Sequence, residues 1–117
     1  MAHVQLIALR RPESVKEFND LLLESIDESI TVLLSRQVAD ALYLHLQTTH
    51  SVSRSDVPYK LDILLTTLEE TLGKSARTVG KAIAKRFYLK LQLEFTNNPN
   101  HTLLEYVDKA KIRLQIS

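Results

Sequence analysis

The stretch LEETLGKSARTVGKAIAKRFY, residues 68 to 88, joins two helical patterns through one glycine. Ahead of the joint, Leu61, Leu64, Leu65, Leu68 and Leu72 recur at three- and four-residue steps, the spacing that lines up side chains on one face of an α-helix. The stripe stops at Gly73, the residue type best able to take the left-handed conformation that ends helices. Beyond the joint, Ala76, Val79, Ile83, Phe87 and Leu91 restart the same period, and Lys74, Arg77, Lys81 and Lys85 run along the other face. This part of the chain is therefore helix, turn, helix, the second helix covering about residues 75 to 93.

Toward the N-terminus, Ser14 and Glu17 follow Pro12 in a capping-box pattern. Val15, Phe18, Leu22, Ile26, Ile30 and Leu33 then predict a first helix over about 15 to 33, with Glu17, Asp20, Glu24, Asp27 and Glu28 opposite the apolar stripe. A second helix, about 36 to 49, has Val38, Leu42 and Leu46 on one side and Ala39 and Tyr43 beside it. The joint near Ser35 contains neither Gly nor Pro, so the spacing equally allows one longer, bent helix. HSVSRSDVP, residues 50 to 58, reads as a loop by its Ser, Asp and Pro content, with Pro58 suited to the first turn of the next helix. On the C-terminal side, TNNPNH (96 to 101) breaks the pattern, and Thr102 with Glu105 forms a second capping box. Leu103, Val107, Ala110 and Leu114 then mark a fifth helix over about 103 to 114.

With 117 residues and 44% apolar content, the chain can bury one core but hardly two. A single helical domain over 14 to 117 behind an N-terminal extension, 1 to 13, is the expected organisation. Twenty-one Leu against seven aromatic residues make the core aliphatic and favour helix over strand, so the fold class is all-α, a compact bundle of about five helices. Two Gly and three Pro leave little material for Gly-rich phosphate loops or sandwich turns. The absence of Cys removes disulfides, thiolate metal sites and Cys nucleophiles, and suits a cytoplasmic protein. MAHVQLIALRRP lacks the charge order and cleavage motif of a signal peptide, and no run approaches the ~20 apolar residues of a membrane span. No membrane partner is expected.

The net charge of +1 hides a strong polarisation along the chain. From Glu13 to Glu28 there are six acids and one Lys; from Lys74 to Lys90 there are six basic residues and no acid. Nothing in the spacing gathers groups for catalysis. The four His residues are scattered, and the close pair, His45 and His50, is five apart where helical metal ligands stand three or four apart. His45, between Leu44 and Leu46, reads as a partly buried structural residue. Ser residues lack a nucleophile-elbow context, and the adjacent Glu69 and Glu70 point to different sides of one helix. We therefore expect no enzyme activity, no cofactor and no metal. Tyr43, Tyr88 and Tyr106 lie at stripe edges, where a ring can bury its body and leave its hydroxyl wet. Ala76, Gly80 and Ala84, four apart, form a strip that another helix could approach closely. The basic face carries the functional expectation. It could meet nucleic-acid phosphates, or pair with the acidic face of the first helix in the same chain or a second copy.

Two resemblances sharpen this. Leu68 to Ile83 resembles a helix-turn-helix unit, with Leu68 and Leu72 inward, Gly73 in the turn and Val79 packing back. That likeness implies DNA contacts from Lys74, Ser75, Arg77, Thr78 and Lys81, with Lys85 further along the same face. Glu69 and Lys74 stand where the motif has a small and an apolar residue, which would put charge between its two helices. Over a longer span, Leu22 to Lys111, the order LLESIDESI, VADALYLHLQ, DVPYKLDILLTTLEETLGKSA, KAIAKRFYLKLQLEF and LLEYVDKAK resembles the Nitrosopumilus output domain family of archaeal helical domains. The likeness rests on Ile26-Asp27-Glu28, on Tyr43 with Leu46, on Val57-Pro58 fifteen residues before Gly73, and on Arg86 with Tyr88. It implies a regulatory, signalling-output role; the expected mode of action is a protein partner or self-association, with DNA binding through the basic face as the alternative.

Overall fold

The computed structural model describes residues 12 to 116, so most of the expected N-terminal extension, residues 1 to 11, lies outside the described residues. Five α-helices follow in order: α1 (Val15–Leu33), α2 (Arg36–His50), α3 (Leu61–Leu72), α4 (Ser75–Leu91) and α5 (Leu103–Leu114). The described residues contain no strand, and a 3-10 segment, Arg54–Tyr59, sits between α2 and α3. The all-α bundle expected from the sequence is thus what the chain forms. None of these helices is long and apolar enough to cross a membrane.

Local chemistry sets the helix ends. The Ser14 hydroxyl accepts from Glu17 N at 3.1 Å, but the Glu17 carboxylate turns to Glu13 N at 2.7 Å, so the first box is not closed on its own cap. The second is closed: Thr102 Oγ1 accepts from Glu105 N, and Glu105 accepts from Thr102 N at 2.9 Å. Hydrogen bonding from the Thr102 backbone is the main cause holding the Glu105 carboxyl below its usual value. Ser35 is fully extended and its hydroxyl accepts from Val38 N at 3.0 Å, which resolves the α1–α2 joint into two helices. Pro58 lies buried inside the 3-10 segment rather than in the first turn of α3, which begins at Leu61. Gln92 takes a left-handed conformation and Leu93 N donates to Tyr88 O at 2.9 Å, stopping α4 at Leu91, two residues earlier than its periodicity suggests.

The core is built around α1 and α4, which pack against one another; α4 also packs against α3 and α5, and α1 against α2 and the 3-10 segment. Phe18, Leu22, Ile26 and Ile30 of α1 and Ile83, Phe87 and Leu91 of α4 are all buried. Phe18 and Phe87 meet edge to face at 5.0 Å, a geometry that adds to their area burial. Three residues assigned to the stripes are exposed instead: Val15, Leu33 and Val38. Each lies within a turn of a helix end, where no neighbouring helix covers it. His45 is also exposed and half of a ring pair with His50 at 5.8 Å, not a partly buried structural residue.

Tyr43, Tyr88 and Tyr106 are buried, and their hydroxyls bond within the protein. Tyr88 Oη donates to Tyr106 O at 2.6 Å, and burial raises its pKa. Tyr106 Oη accepts from Asn98 N at 2.8 Å and donates toward the carbonyls of Thr96 and Asn98, anchoring the connection between α4 and α5. Phe95 stacks on Tyr106 at 4.9 Å and completes that anchor.

The two glycines do opposite things. Gly73 has φ +60 and ψ −129, a region costly for any residue with a Cβ, although a Cβ there would touch nothing. Gly80 is buried in the middle of α4, and a Cβ would meet Leu103 and Leu65 at an ordinary 3.9 Å. The Ala76, Gly80 and Ala84 strip does face neighbouring helices, yet the approach leaves room for a methyl group. Gly73→Ala should therefore destabilise the domain by about 1–2 kcal/mol, and Gly80→Ala should stabilise it by about 0.5–1 kcal/mol through helix propensity. Urea denaturation of both variants checks this; a loss on Gly80→Ala would mean that Leu65 and Leu103 come nearer to the added Cβ than 3.9 Å.

Candidate interaction surface

The solvent side of α4 carries Arg77, Lys81, Lys85 and Leu89 at four-residue steps, so they form one row along the helix. Gly73 sets where this row begins, and the buried strip of Ala76, Val79, Ile83 and Phe87 sets which way it faces. The basic residues of α4 divide into two groups. Arg86 and Lys90 turn toward α1 and pair with its acidic face: Arg86 with Glu28 at 3.5 Å, and Lys90 with Glu24 at 3.0 Å and Glu28 at 3.1 Å. Desolvation lowers the Lys90 pKa, but hydrogen bonds and charge from Glu24 and Glu28 outweigh it and leave a net rise. The intrachain pairing of the acidic and basic faces thus exists, through two residues outside the candidate set.

Lys74, Arg77, Thr78 and Lys85 are exposed and Lys81 is half-buried. Among the described residues, none of the four basic ones makes an ion pair. Arg77 instead donates to the Pro99 carbonyl at 2.8 Å. Arg77, Thr78 and Lys81 come together in a cleft of about 350 Å³, whose other wall includes Glu69, His101 and Leu103. Lys74 and Lys85 do not line it. Glu69 and Lys74 are both exposed, Glu69 on the wall of this cleft, so neither is buried in the packing between α3 and α4 as the helix-turn-helix comparison implies. The obstacle to that reading is elsewhere: Pro99, His101 and Thr102 stand beside the first turns of α4, where a recognition helix must be clear to enter a groove. Asn98 Oδ1 accepts from Asn100 N at 3.0 Å, so its amide nitrogen donates to His101 Nε2 at 3.2 Å. The remaining proton then belongs on His101 Nδ1, which is buried without a partner.

A second concavity, about 480 Å³, lies further along α4 against the end of α1. Ser29, Val32 and Leu33 of α1, Leu89 of α4, and Leu93 and Phe95 after it line the groove, with Lys85 and Arg86 at its edge. Val32 is 69% exposed, Leu33 47% and Leu89 78%. Sequence periodicity alone misses this surface because Leu89 falls on the basic side of the wheel. The signal was present: one Leu continues a row of three cations.

The fold and this surface define a helical bundle with an uncovered apolar groove and a cationic row beside it. Compared with protein-family models, curated proteins and solved structures, the chain finds no match.

Proposed function

We propose that this chain is a non-enzymatic helical regulatory domain that works by binding a protein partner through the outer face of α4. The observation that carries this reading is the apolar groove at the α1–α4 junction, where Val32, Leu33 and Leu89 remain in solvent although a folded core lies directly beneath them. Contiguous apolar surface of this kind marks interaction sites more often than isolated exposed residues do. The resemblance to the Nitrosopumilus output domains supports a regulatory role of archaeal type, and a cytoplasmic setting fits a chain without cysteine.

Duplex DNA binding is the second reading, favoured by the unpaired cations Lys74, Lys81 and Lys85, with Arg77 and Thr78 beside them. Titration into duplex DNA separates the two. DNA binding through three or four phosphates should weaken by roughly 40–150-fold between 50 and 200 mM salt. A protein-binding domain should show no saturable DNA binding at either salt, and Leu89→Glu should abolish its association with a partner or second copy. Saturable, sequence-dependent DNA binding indifferent to Leu89→Glu would overturn the first reading.

A further inference from the structure

We propose that the groove between α1 and α4 seats an acidic amphipathic helix of another protein, with apolar anchors on Val32, Leu89, Leu93 and Phe95 and carboxylates facing Lys81 and Lys85. This inference rests on the reading of the chain as a protein-binding domain.

The shape of the groove selects a helix. On α4 its lining residues run from Ala82 to Leu89, about 10 Å at 1.5 Å per residue, roughly two turns. A helix laid in such a groove uses anchors at i, i+3 or i+4, and i+7, which span about 10 Å and match that length. A small apolar ligand would be held poorly, since Leu89 is 78% exposed and most of its surface would stay wet. Among the described residues no strand offers an edge for an extended peptide. The floor adds one polar feature. Ser29 is 2% exposed and its hydroxyl has no partner within the protein, whereas Ser25, one turn earlier, bonds Leu21 O at 2.8 Å.

Charge selects an acidic occupant. On the α1 side, Glu24 and Glu28 are already held by Arg86 and Lys90. Lys85 at the rim and Lys81 one turn earlier make no ion pair among the described residues, so these two cations are open to carboxylates of a partner. A second copy fits less well. Leu104 and Ile112, an exposed apolar pair on α5, have Asp108 between them and Lys109 and Arg113 beside them, so α5 of a second copy would present mixed charge and not an acidic face. Because Arg77, Lys81, Lys85 and Leu89 form one row, the partner is also directional: its acids lie toward the Arg77 end and its apolar anchors toward Leu93.

A phage-displayed library of helical peptides of about 16 residues, with Leu at i, i+4 and i+7 and the other positions randomised, tests this. Selection on the full chain should enrich Asp and Glu at one end of the helix. Binding of the selected peptides should fall at least tenfold on Leu89→Glu, and the Lys81→Glu, Lys85→Glu double variant should select Lys and Arg instead. Leu89 and Lys85 are exposed and Lys81 half-buried, so unchanged helical circular dichroism is the control for folding. Enrichment without acidic preference, or binders indifferent to Leu89→Glu, would overturn the proposal. If no peptide is enriched while Leu89→Glu still abolishes self-association, the acidic-helix proposal fails and the protein-binding reading stands. If neither occurs, or if only duplex DNA binds, both fail.

Discussion

Replacing Phe87 by Ala should lower the stability of this domain by about 3–5 kcal/mol, the largest effect we expect from any single substitution. Phe87 has no exposed surface and stands where α1 meets α4, the pairing on which the rest of the bundle is assembled. Truncation removes the ring's burial, opens a cavity in the core between α1 and α4 that rigid helices cannot close, and takes the edge-to-face partner from Phe18. Domains of this size are stable by only about 5–15 kcal/mol, so the variant should be partly unfolded at moderate temperature. Phe87→Leu keeps most of the volume and should cost about 1–1.5 kcal/mol. Urea denaturation with an unchanged slope measures both. A Phe87→Ala loss below about 1.5 kcal/mol would show that α1 and α4 can collapse onto the gap, contrary to the packing described above.

The second large effect centres on Asp27, a carboxylate on the rim of the core. Its oxygens accept from Arg36 at 3.0 Å and from the Tyr43 hydroxyl at 3.2 Å, and Arg54 lies at 3.5 Å. Isolated surface ion pairs contribute about 0–1 kcal/mol. This side chain is only 15% exposed, and removing it strands the hydroxyl of the buried Tyr43, whereas Arg36 keeps Asp40 at 3.4 Å and Arg54 is half-exposed. Asp27→Ala should therefore cost about 2–3 kcal/mol. The Arg54 guanidinium, 5.2 Å from the Tyr43 ring centre, would keep its hold on the ring face and limit the loss.

Desolvation raises the Asp27 pKa, but hydrogen bonds from Arg36 and Tyr43 and the charges of Arg36 and Arg54 outweigh it, so the folded value lies below 3.8. The unfolded chain then takes up the proton more readily. The stabilisation is complete above about pH 5 and is lost as pH falls through the folded value. Burial first, and then the Asp27 charge, push Tyr43 up to about 12, so its contribution is present below pH 10 and disappears as pH rises toward 12. Asp27→Asn should be less stable than the parent at pH 7, and the difference should shrink at pH 3. An equal difference at both pH values would rule out Asp27 as the source of the acid sensitivity.

Much of this architecture was legible one helix at a time. Leu61 to Leu72 ending at Gly73, Thr102 paired with Glu105, and Phe18 to Ile30 at three- and four-residue steps each encode an element within a few residues of chain. The cationic row was legible too, but its division was not. Lys90 reaches Glu24 across 66 residues, and Arg86 reaches Glu28 across 58, so which cations are neutralised depends on how α4 lies against α1. Val15, Leu33 and Val38 fit their stripes by period yet end in solvent, because periodicity says which side of a helix is apolar and not how far its neighbour extends.

By itself, then, the sequence determined the helices, their ends and their inward faces, since hydrogen bonding, capping and backbone freedom act over about four residues. Tertiary structure alone decided that Arg86 and Lys90 are held by α1, that Pro99 crowds the start of α4, and that Val32, Leu33 and Leu89 share one open groove. Those outcomes depend on distances between residues far apart in the chain, and only the packing of whole helices sets such distances.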